Sequence, residues 1–333
     1  MAPANGTSST LVELMKGAGI VPSSATPSRS PAVAEKHEEH REFVPDYPAG
    51  ASPFTGLLPT PPRTSSLGST ASAALDAFAT ETGTGTWPKL PRNRVALRLT
   101  QLVRDPSLLN QAGLNACGPA AALYLFARRW PDQFISFVVD LYDKGEAGLG
   151  SVKVKGDGLF DKDPLTLGWA TGSEPELLDW MILSAVLRSE GGLARFSGLP
   201  TDSVSGITWP KDMVTWLKGA GYATVTDNTN LFWTKGLDDL RGLTPGPQRD
   251  VVVLVNVDLV LSAASATQTF VKHVASSALR SLPNHWFVLQ QPITEAGGRI
   301  KATAYTWGHG DYVFDASLDA WKSAYYGAVS AEP

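Results

Sequence analysis

An α+β fold with segregated layers is what this sequence predicts, and three observations carry it. Apolar residues recur at helical spacing through the middle of the chain, from Cys117 to about Tyr222. β-Branched and aromatic runs fill the last third: "VVVLVNVDLV" (Val251 to Val260), "HWFVLQQPI" (His285 to Ile293) and "IKATAYTWG" (Ile300 to Gly308). The last two are joined by the turn-rich "TEAGGR", which predicts an antiparallel pair. Helices therefore come first and antiparallel strands after.

The elements follow in chain order. Residues 1 to 85 are dense in Pro, Ser, Thr, Ala and Gly, a composition too poor in apolar residues to repay the cost of ordering the backbone, so a flexible leader is expected there. Two short helical faces lie inside it, Ser9 to Gly19 and Thr70 to Thr80, each able to dock on a partner or on the domain itself. The packed domain is expected over residues 86–333. After Cys117, the run Ala120, Ala121, Leu123, Tyr124, Leu125 and Phe126 predicts a buried helix that stops near Trp130 and Pro131, with a second restarting at Asp132. "SEPELLDWMILSAVLRSEGG" has Ser173 and Glu176 at capping-box spacing, Pro175 in its first turn and Gly191-Gly192 at its end. "WPKDMVTWLKGAGY" predicts a shorter amphipathic helix ended by Gly219 or Gly221. Between these, residues 151–172 read as an insertion in the form of a polar hairpin, since Asp157, Asp161 and Asp163 do not have calcium-loop spacing. A last strand, "DYVFDAS", leads into "SLDAWKSAYYGAV", read as helical.

Charge and composition exclude several classes of function. With 333 residues, a net charge of −4 and a pI near 5.8, the chain lacks the basic face that attracts nucleic acid or an anionic membrane. No run approaches the ~18 apolar residues of a membrane span. The start lacks the charged and apolar regions of a secretory signal, so synthesis in the cytoplasm is expected. No Gly-rich phosphate loop is present, and "HEEH" (His37 to His40) is one residue too short for a zinc motif. No cofactor and no metal are expected.

Cys117 is the chain's single cysteine, which rules out an intramolecular disulfide. An isolated cysteine in an alanine-rich helix is most often an inert buried hydrophobe. Its position argues for more. "NQAGLN" is loop-like and the run after it helical, so the sulfur falls in the first helical turn, where free N–H groups and the dipole favour thiolate. Gly118 lets another group approach closely. Gln111, six residues earlier, supplies an amide that joins the Cys117 N–H in holding an oxyanion if the loop folds back. A nucleophilic thiol needs a base. Of five histidines, His37 and His40 lie in the leader, His273 reads as a surface position and His309 as an exposed turn residue. His285 opens a strand, which puts its ring at the rim of a sheet.

Taken together, "QAGLNACGPAA" and "NHWFVL" resemble the papain-like cysteine peptidase superfamily, in detail its C39-like branch, where a Gln, a "CGPA" helix start, a helix followed by "GY", an apolar strand and an "HWFVL" strand come in this order. The resemblance implies a helical subdomain carrying the nucleophile, packed on an antiparallel sheet carrying the histidine. It implies Cys117 as nucleophile, His285 as base and Gln111 as oxyanion donor. In that superfamily an Asn or Asp on the following strand orients the histidine, often before a tryptophan, whereas this chain has "AYTWG" with Tyr305 where the Asn would be. Strand alternation puts Thr303, Tyr305 and Trp307 on one face, so the Tyr305 or Thr303 hydroxyl, or Asp311 from the turn, is expected to hold the ring, with Trp307 as site wall. The implied activity is hydrolysis of an amide in a protein or peptide substrate, with deamidase or acyl-transfer chemistry open to the same site. A catalytically idle papain-like fold used as a binding module is the rival reading. The leader together with such a domain is similar to bacterial effector toxins exported by secretion systems, which implies a secretion machine or chaperone as the leader's partner.

Overall fold

The computed structural model describes residues 69–169, 175–189, 196–199, 208–262 and 283–333. The segment Ser9 to Gly19, the histidines His37, His40 and His273, and the expected helix boundaries at Ser173 and Gly191-Gly192 lie outside the described residues.

The packed domain begins earlier than the expected leader boundary. Helix α1 (Ser69–Thr80) buries Ala71, Leu75 and Phe78 in the main core, with Phe78 edge-on to Tyr142 and under the Arg92 guanidinium. Apolar residues spaced three and four apart give the segment one sticky face, and composition averaged over 85 residues hides it. Helix α2 (Arg92–Arg104) follows, then a short turn of 3-10 helix (Pro106–Leu108). Helix α3 (Cys117–Arg129) is buried along its whole length, as the apolar run from Ala120 to Ala127 demands, with Arg128 and Arg129 buried at its end. Helix α4 (Pro131–Lys144) starts on its proline, where the missing N–H costs nothing, and ends at left-handed Gly145.

A hairpin forms earlier than the polar hairpin expected over 151–172: it pairs β1 (Glu146–Leu149) with β2 (Val152–Lys155), and residues 156–169 continue as turns and a short 3-10 helix (Pro164–Thr166), not as a surface insertion. Val154 and Leu159 are buried in the main core, and Phe160 packs edge-on against Trp87. Helices α5 (Leu177–Ser189) and α6 (Pro210–Ala220) complete this layer, α6 ending at left-handed Gly221.

A seven-stranded antiparallel sheet follows: β3 (Thr224–Thr229), β4 (Asp250–Val255), β5 (His285–Leu289), β6 (Thr294–Ala296), β7 (Arg299–Thr306), β8 (His309–Ser317) and β9 (Tyr325–Glu332). The order across it is β3, β9, β4, β5, β7, β6, with β8 paired to β7. On one face Val252, Leu254, Trp286, Val288 and Tyr305 meet the layer of α1 to α6. On the other, Val251, Val253, Phe287 and Phe314 meet the short helices α7 (Asp238–Gly242), α8 (Val257–Ser262) and α9 (Leu318–Ala324). Burial on both faces explains why "VVVLV" and "WFVL" read as continuous apolar runs instead of alternating ones.

Two expectations are corrected and one strand is added. The strand expected from Val251 to Val260 stops at Val255, where Asn256 turns the chain into α8 by accepting a hydrogen bond from the Asp258 N–H at 3.0 Å. The tail expected as helix is helical only to Ala324; Tyr325 to Glu332 forms β9 between β3 and β4. Strand β3 is polar and sits at the sheet edge, so no apolar alternation announces it.

Candidate active site

Helix α3 begins at Cys117 without a side-chain cap, its N-cap being Ala116. The first-turn N–H groups are thus left for other partners. The Cys117 sulfur faces its own N–H and those of Gly118 and Trp286, all of which favour thiolate, and donates weakly to the Asn284 carbonyl at 3.9 Å. Burial outweighs these groups. With Cys117 only 7% exposed, its thiol is pushed up to about 11, so the resting sulfur is protonated, contrary to the expectation from helix position alone.

His285 opens β5, one residue after the carbonyl that the sulfur touches. Its Nε2 lies 2.8 Å from Thr306 Oγ1, and its ring stacks on Trp307 with centroids 4.5 Å apart. Burial depresses its pKa to about 3, which keeps the imidazole neutral. No hydrogen bond joins the thiol to the imidazole.

The side chain hydrogen-bonded to His285 is that of Thr306, which was not among the expected candidates. Tyr305 instead donates to the Leu109 carbonyl at 2.6 Å and stacks on Tyr124 at 3.9 Å. Thr303 lies further down β7, paired with Val313, its carbonyl accepting from the Gln290 N–H at 2.8 Å. The side chain of Asp311, like that of His309, lies outside the described residues. Tyr305 shares the sheet face of Trp286 and Val288, one residue out of step with His285, and Trp307 is not in the strand at all: the β7–β8 hairpin turns through Trp307 and Gly308, with φ of 50° and 78°. Positive φ at both central residues is a tight hairpin turn, and the last strand position before it is Thr306. The signal was present in "TWG", a hydroxyl directly ahead of an aromatic-glycine turn.

Gln111 is 4% exposed. Its carbonyl accepts from the Leu114 N–H at 2.8 Å, and Ala112 follows with φ of 45°. Ala112 and Trp307 are the two non-glycine residues of positive φ among the described residues, and both flank this site. Such strain persists only where surrounding structure over-determines it. The two strained turns touch: the Asn110 side chain packs on Gly308 where any Cβ would stand. Glycine is therefore required at 308.

Thr208 was not legible in the sequence. It fills the space beside Gly118 that a Cβ would occupy, and its carbonyl accepts from Trp286 Nε1 at 3.0 Å. Its hydroxyl is buried without a partner among the described residues. No group of three His, Cys, Asp or Glu able to hold a metal occurs among the described residues, and no helix there is long and apolar enough to cross a membrane. Comparison with protein-family models, curated proteins and solved structures finds no match to this chain.

Proposed function

We propose that the chain is a cysteine-nucleophile hydrolase of amide bonds, on a papain-like plan nearest the C39-like branch, with a protein or peptide as substrate. The observation that carries this reading is the convergence at the start of β5: the Cys117 sulfur against the Asn284 carbonyl, one residue from a His285 whose Nε2 is occupied by Thr306. With Nε2 taken, Nδ1 is the ring atom that accepts the thiol proton. Because both groups rest neutral, the proton moves as the sulfur attacks the carbonyl carbon. The developing oxyanion accepts from the Gln111 amide and the Cys117 N–H. His285 then returns the proton to the leaving amine, and water cleaves the thioester. An amine in place of water gives acyl transfer, and a side-chain amide as substrate, with ammonia leaving and water cleaving the thioester, gives deamidation. In the same reading the leader addresses an export machine, which makes the protein a secreted effector.

The test uses 4-nitrophenyl acetate, whose acylation of the thiol releases 4-nitrophenolate. A burst equal to the enzyme concentration is expected. Cys117→Ala and His285→Ala should each lower the rate by about 10³-fold or more, the double variant being little worse, because members of one catalytic unit are strongly non-additive. A Cys117→Ala protein that still cleaves ends this reading.

The rival, a binding module on the same plan, is favoured by the burial of both groups and the missing thiol–imidazole hydrogen bond. Full biological effect in Cys117→Ala would establish it.

A further inference from the structure

A buried ion pair stands behind the Gln111 loop. Asp179 on α5 is fully buried and takes two hydrogen bonds from Arg98 on α2, from Nε at 3.0 Å and Nη2 at 2.7 Å. Arg98 Nη1 donates to Gln101 Oε1 at 3.2 Å, and three further contacts made from this region go to one stretch of backbone. Arg98 Nη2 also donates to the Leu108 carbonyl at 2.6 Å, Tyr305 donates to the Leu109 carbonyl at 2.6 Å, and Asp179 Oδ2 accepts from the Asn110 N–H at 2.9 Å. Three consecutive residues are thus pinned from α2, β7 and α5. The fourth is Gln111. Beyond it, Asn110 Oδ1 accepts from the Ala112 N–H at 2.8 Å and draws the loop into its left-handed turn.

Stability alone is a poor reason for this construction. Taking two charges out of water costs several kcal/mol per ion, and an apolar pair of similar volume often serves as well. What the ion pair supplies is direction: a donor and an acceptor fixed in a rigid fork, aimed at specific backbone atoms. An oxyanion donor must stand within a few tenths of an ångström of where charge develops.

The geometry points to Asp179, Arg98 and Tyr305 as positioning residues for the Gln111 amide, an inference that rests on the hydrolase reading above. They touch no reacting atom. Their effect is confined to steps in which a carbonyl becomes an oxyanion, and it passes through Gln111.

The test compares two reactions of the same thiol. In acylation by 4-nitrophenyl acetate the Sγ–C bond forms, the C–O bond breaks, 4-nitrophenolate leaves and the thiol proton passes to His285, with an oxyanion on the way. In alkylation by iodoacetamide the sulfur displaces iodide at a saturated carbon, and no oxyanion forms. Tyr305→Phe keeps ring and stacking and removes one hydrogen bond to the loop. It should slow acylation by about 10-fold and leave alkylation within about 2-fold. In a Gln111→Ala background, Tyr305→Phe should change acylation by less than about 2-fold. Asp179→Asn should repeat the pattern more strongly. Equal losses in both reactions, or an undiminished loss on top of Gln111→Ala, overturn the inference while leaving the hydrolase reading standing. A wild-type protein without a burst removes both.

Discussion

The two ends of helix α3 face opposite demands. At its C-terminal end Arg128 and Arg129 both reach Asp250, which also accepts from the Tyr222 hydroxyl. Gln290 donates to Tyr124 at 2.6 Å, Arg128 donates to both at 3.3 Å, and Arg129 donates to the Pro247 carbonyl at 2.7 Å. At its N-terminal end the Thr208 hydroxyl is left without a hydrogen bond among the described residues, a thiol and an imidazole are buried neutral, and two residues hold positive φ. One end joins helix to sheet with dense polar pairing. The other holds an unpartnered hydroxyl, two neutral titratable groups and two turns of positive φ. A buried hydroxyl without a partner costs stability, roughly 1 to 3 kcal/mol, which the densely paired end of the helix helps to offset.

The comparison can be broken at the C-terminal end. Asp250→Asn leaves two buried guanidinium groups short of their shared counter-charge and should cost about 3 to 5 kcal/mol of stability in urea unfolding. The burst per folded molecule should be unchanged; a burst that falls in step with stability would mean that the two ends are not separate devices.

At the N-terminal end the raised thiol pKa sets a pH profile. The thiolate is the reactive form, and it is scarce until pH approaches about 11, so alkylation by iodoacetamide should quicken about 10-fold per pH unit through the neutral and alkaline range. A plateau already reached near neutrality would show an ion pair at rest, and the neutral-pair mechanism would be wrong. A smaller effect is expected at the histidine. Thr306→Val keeps the shape and removes the Nε2 partner, and a loss of about 10-fold in acylation with alkylation little changed would mark it as the orienting residue.

Stability should respond least to the nucleophile itself. Cys117→Ala takes one small sulfur from a first helical turn and gains helix propensity, so urea unfolding should shift by about 1 kcal/mol or less. A loss of several kcal/mol would make Cys117 a core residue and close the distance between the two ends.

Much of this was legible in the chain. Period and punctuation gave the start of α3, the break at Pro131, the strand at His285 and the order of helices before antiparallel strands, because these are local consequences of side-chain spacing and of what Pro and Gly permit. Cys117 at a helix start and His285 at a strand start follow from the same local rules. Other features are properties of packing. Strand β9 owes its state to its neighbours β3 and β4, since "YYGAV" carries no alternation of its own. Helix α1 owes its order to Tyr142 and Arg92, far along the chain. The choice of Thr306 over Tyr305 was decided by sheet pairing, which sets Tyr305 on the face of Trp286 and Val288 and leaves the next residue, Thr306, to meet His285. The protonation of the site was decided by burial, which the chain does not write down: the helix start draws the thiol toward its anion, and the loss of water around it outweighs that pull.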